Sequence, residues 1–547
     1  MHSTDNSTQE YDLGAREHNN SPLSSDELVN EAGTQTDHFN FLTGWRFYVV
    51  AAVLQLALFL VNFEITIVST ALVSISNDLD DFSKTSWVVT AYLITYTAGL
   101  VIVAKLSDIA GRKRTYLLAL LIFTAFSGGC GGAQTMVQLI IFRAFQGVGG
   151  GGLYAVAFVM LFELVPKKKY PLLLVTSVAL AVLGNALGPI FGGLITQRST
   201  WRWVFLLNVP TGAAAILCVL LSVPNDYPYQ GLGLEKSKPK PKLSSIDFTG
   251  AFLMLLGLAL LITGLNEAAS TLVWVSGTVL APLIVSAFAW AAFLICQWWY
   301  EHSGSSIQSV FPWTFCQSRL VMGIILNSFF TGTVSISLII LLPIRYQTTL
   351  GVGPLEAGVK LLPFVLLTST GAALTGALVK NRRIAPVYVA LFGIILQIAG
   401  LAALPSIAPA DTGVYGLQVI IGLGAGFNIG VVTLMTPYVV EHKDLAVATA
   451  AGTQFRFLGS AAVVSITTAV GNSLVKAKLA GILTPLQIQE IFRSSASINE
   501  LSPELEDMVR RDFISSFNVQ FRIVLGFAVA SLISVVLLWK KKQILVD

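Results

Sequence analysis

Residues 106–114 read LSDIAGRKR and lie between two long apolar runs. Asp108 is placed to cap the following helix through free backbone N–H groups, and Gly111 permits a sharp reversal of the chain. Arg112 is placed to pair with an acid on a neighbouring helix, and Glu163 is the candidate partner. An ordinary basic loop explains the basic triplet, but not the acid and the glycine. The stretch therefore predicts a structured turn between two packed helices.

The composition around this turn is that of a membrane protein. Of the 547 residues, 54% are hydrophobic and 12% are charged, whereas soluble proteins have about 25% charged residues. Apolar runs of about 20 residues recur without a polar face, and a helix spanning the bilayer satisfies its own backbone hydrogen bonds. We therefore expect an all-α integral membrane protein. The net charge of +4 is too small and too scattered for a nucleic-acid-binding surface.

Fourteen membrane-spanning helices are predicted. They lie at residues 46–70, 85–104, 115–134, 138–160, 172–195, 203–223, 248–266, 273–299, 319–343, 355–379, 385–405, 412–436, 446–472 and 520–539. The basic clusters fall on one side of this arrangement, at residues 112–114, 167–169, 236–242, 380–383 and 540–542. The opposite short loops carry only Lys84, Arg198, Arg202 and Arg345. Because positively charged loops stay in the cytoplasm, we expect both termini there, in a plasma membrane or, as the alternative, a vacuolar membrane.

The domain organisation follows from the spans and from polar segments between them. We expect a disordered cytoplasmic tail at 1–44, a first six-helix bundle at 45–223 and a cytoplasmic linker with Lys-Pro repeats at 224–246. Two inserted spans follow at 247–318. The second six-helix bundle covers 319–539, includes an external loop at 473–518, and precedes a short cytoplasmic tail at 540–547.

Two charged residues stand out inside apolar runs, Glu64 and Arg143. A charged residue at the centre of a membrane helix costs roughly 2.5 to 3.5 kcal/mol on insertion scales, so each should face a wet cavity or a partner. An acid in a partly desolvated cavity can exchange protons near neutral pH. The pair is therefore predicted to couple proton movement, with an interhelical polar tie as the alternative. The same two interpretations stand for Arg456.

Small residues and a proline mark the predicted fifth span. Gly184, Gly188 and Gly192 recur every four residues, so they form a stripe that a neighbouring helix can approach closely. Pro189 removes a backbone donor and bends the helix. The Gly-Pro pair and the following Gly193 favour a hinge over simple packing.

Polar residues within other apolar runs are candidates to line a cavity near the membrane midplane, with helix packing as the alternative. These residues are Asn62, Gln146, Asn185, Asn327, Gln397 and Asn428.

The sequence contains no motif that indicates a cofactor site, a metal site or a catalytic site. Residues 147–152 satisfy Gly-x-Gly-x-x-Gly formally, but they lie within a predicted membrane helix and not after a strand, so no dinucleotide site is implied. The sequence lacks the Gly-x-x-x-x-Gly-Lys-Ser/Thr motif that binds ATP. The four cysteines have no metal-ligand spacing, and the spans contain no His-rich cluster, Ser/His pair or aspartyl dyad.

Several of these stretches resemble the motifs of a known family. The turn resembles the Gly-x-Leu-x-Asp-x-x-Gly-Arg-Lys motif of the major facilitator superfamily, although Ala104 replaces the first glycine. RAFQGVG at 143–149 resembles its Arg-x-x-Gln-Gly-x-Gly motif, and GNALGPIFGG at 184–193 resembles its antiporter motif. WRWVFLLNVP at 201–210 and EITIVSTAL at 64–72 are similar to stretches of the fourteen-span drug:proton antiporter family, with glutamate in place of that family's aspartate.

The resemblance implies a fold, a function and partners. The fold is two six-helix bundles with two extra central spans. The function is secondary active efflux of hydrophobic or amphipathic molecules, such as toxic metabolites or drugs, by proton antiport, as in fungal members. A carrier for a nutrient, a polyamine or a metal chelate is the alternative. Asp108, Gly111, Arg112 and Glu163 would form a gate. The expected partners are a small-molecule substrate, protons and the lipid bilayer, and we expect a monomer.

Overall fold

The computed structural model describes residues 42–166, 170–225, 227, 247–271, 275–303, 307, 309–379, 384–440, 445–493, 495–541 and 543–545. Within these ranges the regular secondary structure is entirely helical. Fourteen helices are long. They are α1 (Trp45–Asp78), α2 (Thr85–Ala110), α3 (Arg112–Gly132), α4 (Met136–Leu164), α5 (Tyr170–Arg198), α6 (Arg202–Ser222), α7 (Phe248–Thr271), α8 (Gly277–His302), α9 (Arg319–Leu350), α10 (Pro354–Val379), α11 (Pro386–Ala403), α12 (Gly413–Val439), α13 (Leu445–Leu479) and α14 (Pro503–Leu538).

The structure contains a long helix at each of the fourteen predicted spans. Within the described residues, thirteen of the long helices have the length and hydropathy needed to cross a membrane. The remaining one, α5, has 29 residues and contains Pro189. Each predicted span coincides with one of the fourteen helices. Because an even number of long helices follow one another up and down the bundle, Trp45 and Leu538 lie at the same end of it, which we call the terminal end.

Two groups of six helices pack in the same pattern. In the first group α1 packs on α5, α4 packs on α2 and α3, and α3 packs on α6. In the second group α9 packs on α13, α12 packs on α10 and α11, and α11 packs on α14. The helices α1–α6 therefore correspond to α9–α14, which is the repeat expected of two six-helix bundles.

The two bundles meet along two seams, with α5 against α10 and α2 against α13. The inserted helix α7 packs on both helices of the second seam, and α8 packs on α7. Asp247, just before α7, accepts hydrogen bonds from Gln297 Nε2 of α8 at 2.7 Å and from the backbone N–H of Val310 at 3.1 Å. These hydrogen bonds hold α7, α8 and the segment after α8 together beside the α2–α13 seam.

Several helices extend beyond the predicted spans. Arg345, expected in a loop, lies inside α9 and is completely buried. Within the predicted loop at 473–518, α13 continues to Leu479, a short helix covers Pro485–Arg493, and α14 begins at Pro503. Hydropathy detects only the apolar part of a helix, whereas the hydrogen-bonded backbone continues into polar sequence. The loop is therefore shorter than the sequence indicated.

Some predictions concern residues outside the described ranges. These are the disordered tail up to residue 41, most of the linker at 224–246, and the basic clusters at 167–169, 236–242 and 380–383.

The glycine stripe of α5 determines how closely α5 approaches α1. A Cβ atom on Gly184 would lie 2.8 Å from Phe59 O, and one on Gly188 would lie 2.8 Å from the Thr66 Cβ. Such distances are shorter than van der Waals contact, so the two backbones approach to a separation that only glycine permits. The stripe is therefore a packing surface between α5 and α1.

We expect Gly188→Ala to destabilise the protein, because the new methyl group overlaps Thr66 and the backbone N of Ile67. Overpacking of this kind costs about 1–3 kcal/mol. The melting temperature of the detergent-purified protein should fall by about 2 °C or more. Gly376→Ala on α10 is the matched control, because a Cβ there meets nothing within 4 Å. Equal melting temperatures for the two variants would contradict this packing.

Candidate functional site

The centre of the first bundle contains a buried ion pair between α1 and α4. Glu64 and Arg143 are 0% and 1% exposed. Arg143 Nη1 donates to Glu64 Oε1 at 2.6 Å. The surrounding helices carry mostly apolar residues, and a buried charge has to be compensated locally. The two side chains therefore pair with each other. The structure thus brings together the two charged residues that the sequence selected.

Arg143 is held from several directions. Its Nη1 also donates to Gln146 Oε1 at 2.7 Å, one helical turn along α4, and its Nε donates to Val88 O of α2 at 3.0 Å. The guanidinium carbon lies 4.2 Å from the ring centroid of Tyr92 and 5.5 Å from that of Phe205. Aromatic faces attract cations, so the charge remains stabilised when its distance from the acid changes.

Glu64 accepts hydrogen bonds from three side chains. Besides Arg143, Gln146 Nε2 donates to Oε1 at 3.1 Å, and Asn208 Nδ2 of α6 donates to Oε2 at 2.6 Å. Gln146 Nε2 also donates to Ser127 Oγ of α3 at 2.7 Å. One carboxylate therefore connects four helices of the first bundle. All of these donors favour the ionised form of an acid, whereas burial favours the neutral form.

Sequence reasoning missed three members of this network, namely Ser127, Asn208 and Tyr92. Asn208 belongs to the WRWVFLLNVP stretch, but no role was derived for it. A polar residue within an apolar run was the available signal, and the same signal selected Gln146 as a cavity candidate. Gln146 is instead fully buried within the bundle, where it bridges Arg143 and Glu64.

Some buried polar atoms of this region have no hydrogen-bond partner among the residues that the structure describes. The Tyr92 hydroxyl and the Asn208 Oδ1 atom are both buried and unpaired. An unpaired buried group costs about 1–3 kcal/mol, so its persistence in a structure calls for an explanation. Both atoms lie on residues that contact Glu64 or Arg143, and each oxygen can accept a hydrogen bond from a donor that moves toward it.

The turn between α2 and α3 contains a second charge cluster at the terminal end. Arg112 donates to Glu163 of α4 through Nε at 3.0 Å and through Nη2 at 2.8 Å. Its Nη1 atom donates to Ser107 Oγ at 2.7 Å and also pairs with Asp108. Gly111 has φ +93°, a backbone conformation that favours glycine. The expected Arg112–Glu163 contact is present.

The expected capping role of Asp108 is wrong. The N-cap of α3 is Gly111, and no side chain accepts a hydrogen bond there. Asp108 pairs with Arg112 instead, because a guanidinium one turn away offers a stronger, charge-assisted hydrogen bond than a backbone amide does.

The chain after α6 returns to this cluster. The Tyr227 hydroxyl donates to Met160 O of α4 at 2.8 Å. Burial, and to a lesser extent the nearby Glu163 carboxylate, raise the pKa of Tyr227 above its usual range. The hydroxyl therefore remains a donor, and it fixes the start of the linker next to Glu163.

The hinge candidates of α5 lie between the two bundles. Pro189 O accepts a hydrogen bond from Thr70 Oγ1 of α1 at 3.3 Å. On the other side, a Cβ on Gly193 would lie 2.7 Å from the backbone N of Leu355 of α10. Close to these contacts, Gln347 Nε2 of α9 donates to Thr70 O at 3.2 Å. The bundles are therefore in direct contact at the end opposite the terminal end.

The remaining cavity candidates are in different environments. Asn327 Nδ2 donates to Asn428 Oδ1 at 3.1 Å, which ties α9 to α12. Asn62 is buried and donates to the Leu58 O of its own helix at 2.7 Å. Asn185 is half-buried, and the buried Gln397 has an unpaired Nε2 atom. These side chains do not converge on one site.

Comparisons with known proteins agree with this architecture. The sequence model of the Major Facilitator Superfamily matches residues 54–464. The "MFS-type transporter FPY5" of Fusarium mangiferae is 38% identical over 94% of this chain and 87% of its own. The "Rubrofusarin-specific efflux pump aurT" of Gibberella zeae is 27% identical over 78% of this chain and 76% of its own.

A similar fold is also found among solved structures. A bacterial homologue of the human lysosomal transporter Spinster, in an inward-facing and unoccupied conformation, has a TM-score of 0.61. The match covers 92% of this chain and all of that one, with 15% identity. The similarity therefore concerns the fold alone.

We expect Arg143→Ala to destabilise the protein by about 3–5 kcal/mol, because it leaves Glu64 buried without its counter-charge. Glu64→Gln combined with Arg143→Ala should recover part of this loss, since the double variant has no buried charge at this site. The coupling energy is measured by thermal unfolding at neutral pH of four purified proteins, namely the wild type, the two single variants and the double variant. Additive losses would show that the two side chains do not interact energetically.

Proposed function

Because this chain belongs to the major facilitator superfamily, we propose that it is a secondary active transporter that exports hydrophobic or amphipathic small molecules across the plasma membrane. Toxic secondary metabolites or drugs are the proposed cargo. A relative named as an efflux pump supports export. The buried Glu64–Arg143 pair is the observation that supports coupling to protons.

Proton coupling requires a site whose proton affinity differs between the two states of the transporter, because equal affinity transfers no free energy. Glu64 meets this requirement if its distance from Arg143 changes. While the pair is intact, the guanidinium and the Asn208 amide stabilise the carboxylate. When α1 moves away from α4, burial favours the protonated acid. Glu64 would then take up or release a proton in step with helix movement.

Other contacts of Arg143 lower the free-energy cost of protonating Glu64. A proton on Glu64 removes the counter-charge, but Gln146 Oε1, Val88 O and the Tyr92 ring still contact the guanidinium. The cost of an isolated buried cation is thereby reduced. The network thus supports both protonation states of Glu64 without loss of the bundle.

Alternating access would be a rocking of the two bundles about the α5–α10 and α2–α13 seams. The close contacts of Pro189 with Gly358 and of Gly193 with Leu355 lie on the first of these seams. We propose that they form one side of the gate. Arg112 with Asp108 and Glu163 forms the other, at the terminal end, which we propose to be cytoplasmic. The transporter would act as a monomer, with both termini in the cytoplasm.

The direct test is proton-driven export. The substrate can be identified as a metabolite that disappears from the medium when the gene is deleted, and then prepared in radiolabelled form. For exchange of one proton, a gradient of about one pH unit supplies about 1.4 kcal/mol, which supports a roughly tenfold concentration ratio of substrate. Proteoliposomes with the wild-type protein should reach such a ratio. Accumulation in the direction of proton flow would instead favour a symporter of the alternative class.

We expect Glu64→Gln to abolish this gradient-driven transport, because glutamine cannot take up the coupled proton. Exchange of labelled for unlabelled substrate without a gradient should survive, since substrate binding does not need the acid. Glu356→Gln, which removes an exposed acid of α10, is the control and should behave as the wild type. If the Glu64 variant still builds a tenfold ratio, another acid couples the proton.

Arg112→Ala should slow transport several-fold with little loss of protein, because it removes the contacts with Glu163 and Asp108 that stabilise one state. The neighbouring Lys113→Ala is the matched control, since Lys113 contacts only the Leu220 carbonyl at 3.1 Å among the described residues. Initial rates per molecule in proteoliposomes measure the effect. Equal rates for the two variants would leave Arg112 as a determinant of topology only.

A further inference from the structure

Three arginines within the long helices differ in how their charge is compensated. Arg143 pairs with Glu64, as described above. Arg345 is completely buried inside the second bundle and donates to Ile407 O at 3.3 Å. Arg456 of α13 is only half-buried, and within the described residues it forms no ion pair; its guanidinium carbon lies 5.0 Å from the Phe457 ring centroid. Arg456 therefore has a charge available to a ligand.

The packing of α13 shows where Arg456 points. Gly459 packs against Phe329 of α9, and Phe457 packs against Tyr96 of α2 with ring centroids 4.6 Å apart. At 100° per residue, Arg456 lies between these two directions, on the side of α13 that is next to the seam with α2. Gly332 of α9 leaves room for its stem, since a Cβ there would lie 2.9 Å from Arg456 Cγ.

Aromatic rings extend from this point along α4. Tyr154, Phe158 and Phe162 are spaced by four residues and are all half-buried. The Tyr154 and Phe158 ring centroids are 4.9 Å apart, and those of Phe158 and Phe162 are 6.3 Å apart. Tyr154 in turn lies 6.2 Å from Tyr96, which contacts Phe457. The rings thus form a continuous row that ends beside Arg456.

Tyr154, at the start of this aromatic row, points toward Tyr96 of α2 and away from the exposed side of α4. Phe145, on the same helix, is 51% exposed. Nine residues separate it from Tyr154, which places the two about 180° apart on the helix. The ring of Tyr96, the link in this row between α4 and α13, is fully buried and has an unpaired hydroxyl. A ligand that enters this seam would therefore meet the half-buried rings of Tyr154 and Phe158 and the half-buried Arg456 cation.

We propose that Arg456 and this aromatic row form the substrate site, and that the substrate class is planar aromatic acids. The ring system would stack on Tyr154 and Phe158, and the carboxylate or phenolate would pair with Arg456. The inference rests on the proposed transport function and specifies its cargo. Stacking on aromatic rings adds affinity beyond the burial of apolar surface, and a hydrogen bond between two ionised groups is stronger than one between neutral groups.

The site can be tested by binding alone, with purified full-length protein in lipid nanodiscs and no gradient. Tritiated 2-naphthoate is the planar aromatic acid, 2-naphthamide is its neutral counterpart, and decanoate is an aliphatic acid. We expect 2-naphthoate to bind at least tenfold more tightly than either competitor. Equal affinities for 2-naphthoate and 2-naphthamide, or no binding of 2-naphthoate, would overturn the proposal without any variant.

Substitutions at single positions show which residues cause the preference for 2-naphthoate over 2-naphthamide. Arg456→Gln should reduce the naphthoate-to-naphthamide preference to about one, whereas Arg456→Lys should retain part of it. Phe158→Leu should weaken both aromatic ligands about fivefold and leave their ratio unchanged. Arg511→Gln removes an exposed arginine of α14 and should bind as the wild type does. Melting temperatures establish that each variant is folded. A preference that survives in a folded Arg456→Gln protein refutes the assignment.

The outcome is separable from that of the transport assay. Selective binding of 2-naphthoate without gradient-driven efflux would support the site and contradict the proton-coupled function. Gradient-driven efflux of other molecules by a protein that does not bind 2-naphthoate would contradict the site and leave the coupled function in place.

Discussion

A charge in the apolar interior of a membrane protein has to be compensated where it lies, and the Glu64–Arg143 pair is the main consequence of this constraint here. Because the carboxylate accepts from Arg143, Gln146 and Asn208, the positions of α1, α4 and α6 depend on one another. Ser127 extends the dependence to α3 through Gln146. A change in the protonation of Glu64 therefore alters hydrogen bonds that connect four helices. A carrier coupled to protons requires such a connection.

The same constraint explains why the arginines of the interior have different environments. Arg143 has its acid and an aromatic surround, and its charge is used within the bundle. Arg456 lies at the seam between the bundles beside the Phe457 ring, and within the described part of the chain it forms no ion pair. A cation at that location is stabilised by water or by an anionic molecule that enters between the bundles. The division that we propose, with coupling at Arg143 and recognition at Arg456, follows from which of these charges are already paired.

Steric constraints act together with the electrostatic ones. The bundles can move as units only if the helices inside each are tightly packed, and the glycines of α5 make such packing against α1 possible. Across the seam, Gly193 and Gly358 let the backbones of α5 and α10 approach each other closely. A smooth contact between backbones can separate and re-form at low cost, unlike one made of interdigitated large residues. The inserted helices α7 and α8 lie beside the other seam and leave this one free.

The sequence by itself determined the membrane class, the fourteen helices, and the pairing candidates Glu64 with Arg143 and Arg112 with Glu163. Hydropathy and the cost of buried charge are properties of local composition, so they can be evaluated along the chain.

The sequence did not determine features that depend on which residues lie close together in space. Asp108 had two possible partners, and only the fold shows that Arg112 is near enough to displace the helix cap. Arg345 was assigned to a loop because hydropathy cannot distinguish a solvated arginine from one enclosed by other helices. Gln146 and Asn208 were two polar residues among many until the packing of α1, α4 and α6 directed them to one carboxylate. Hydrogen bonds between residues 64, 146 and 208 join positions far apart in the chain, and no periodicity records which faces of three helices meet.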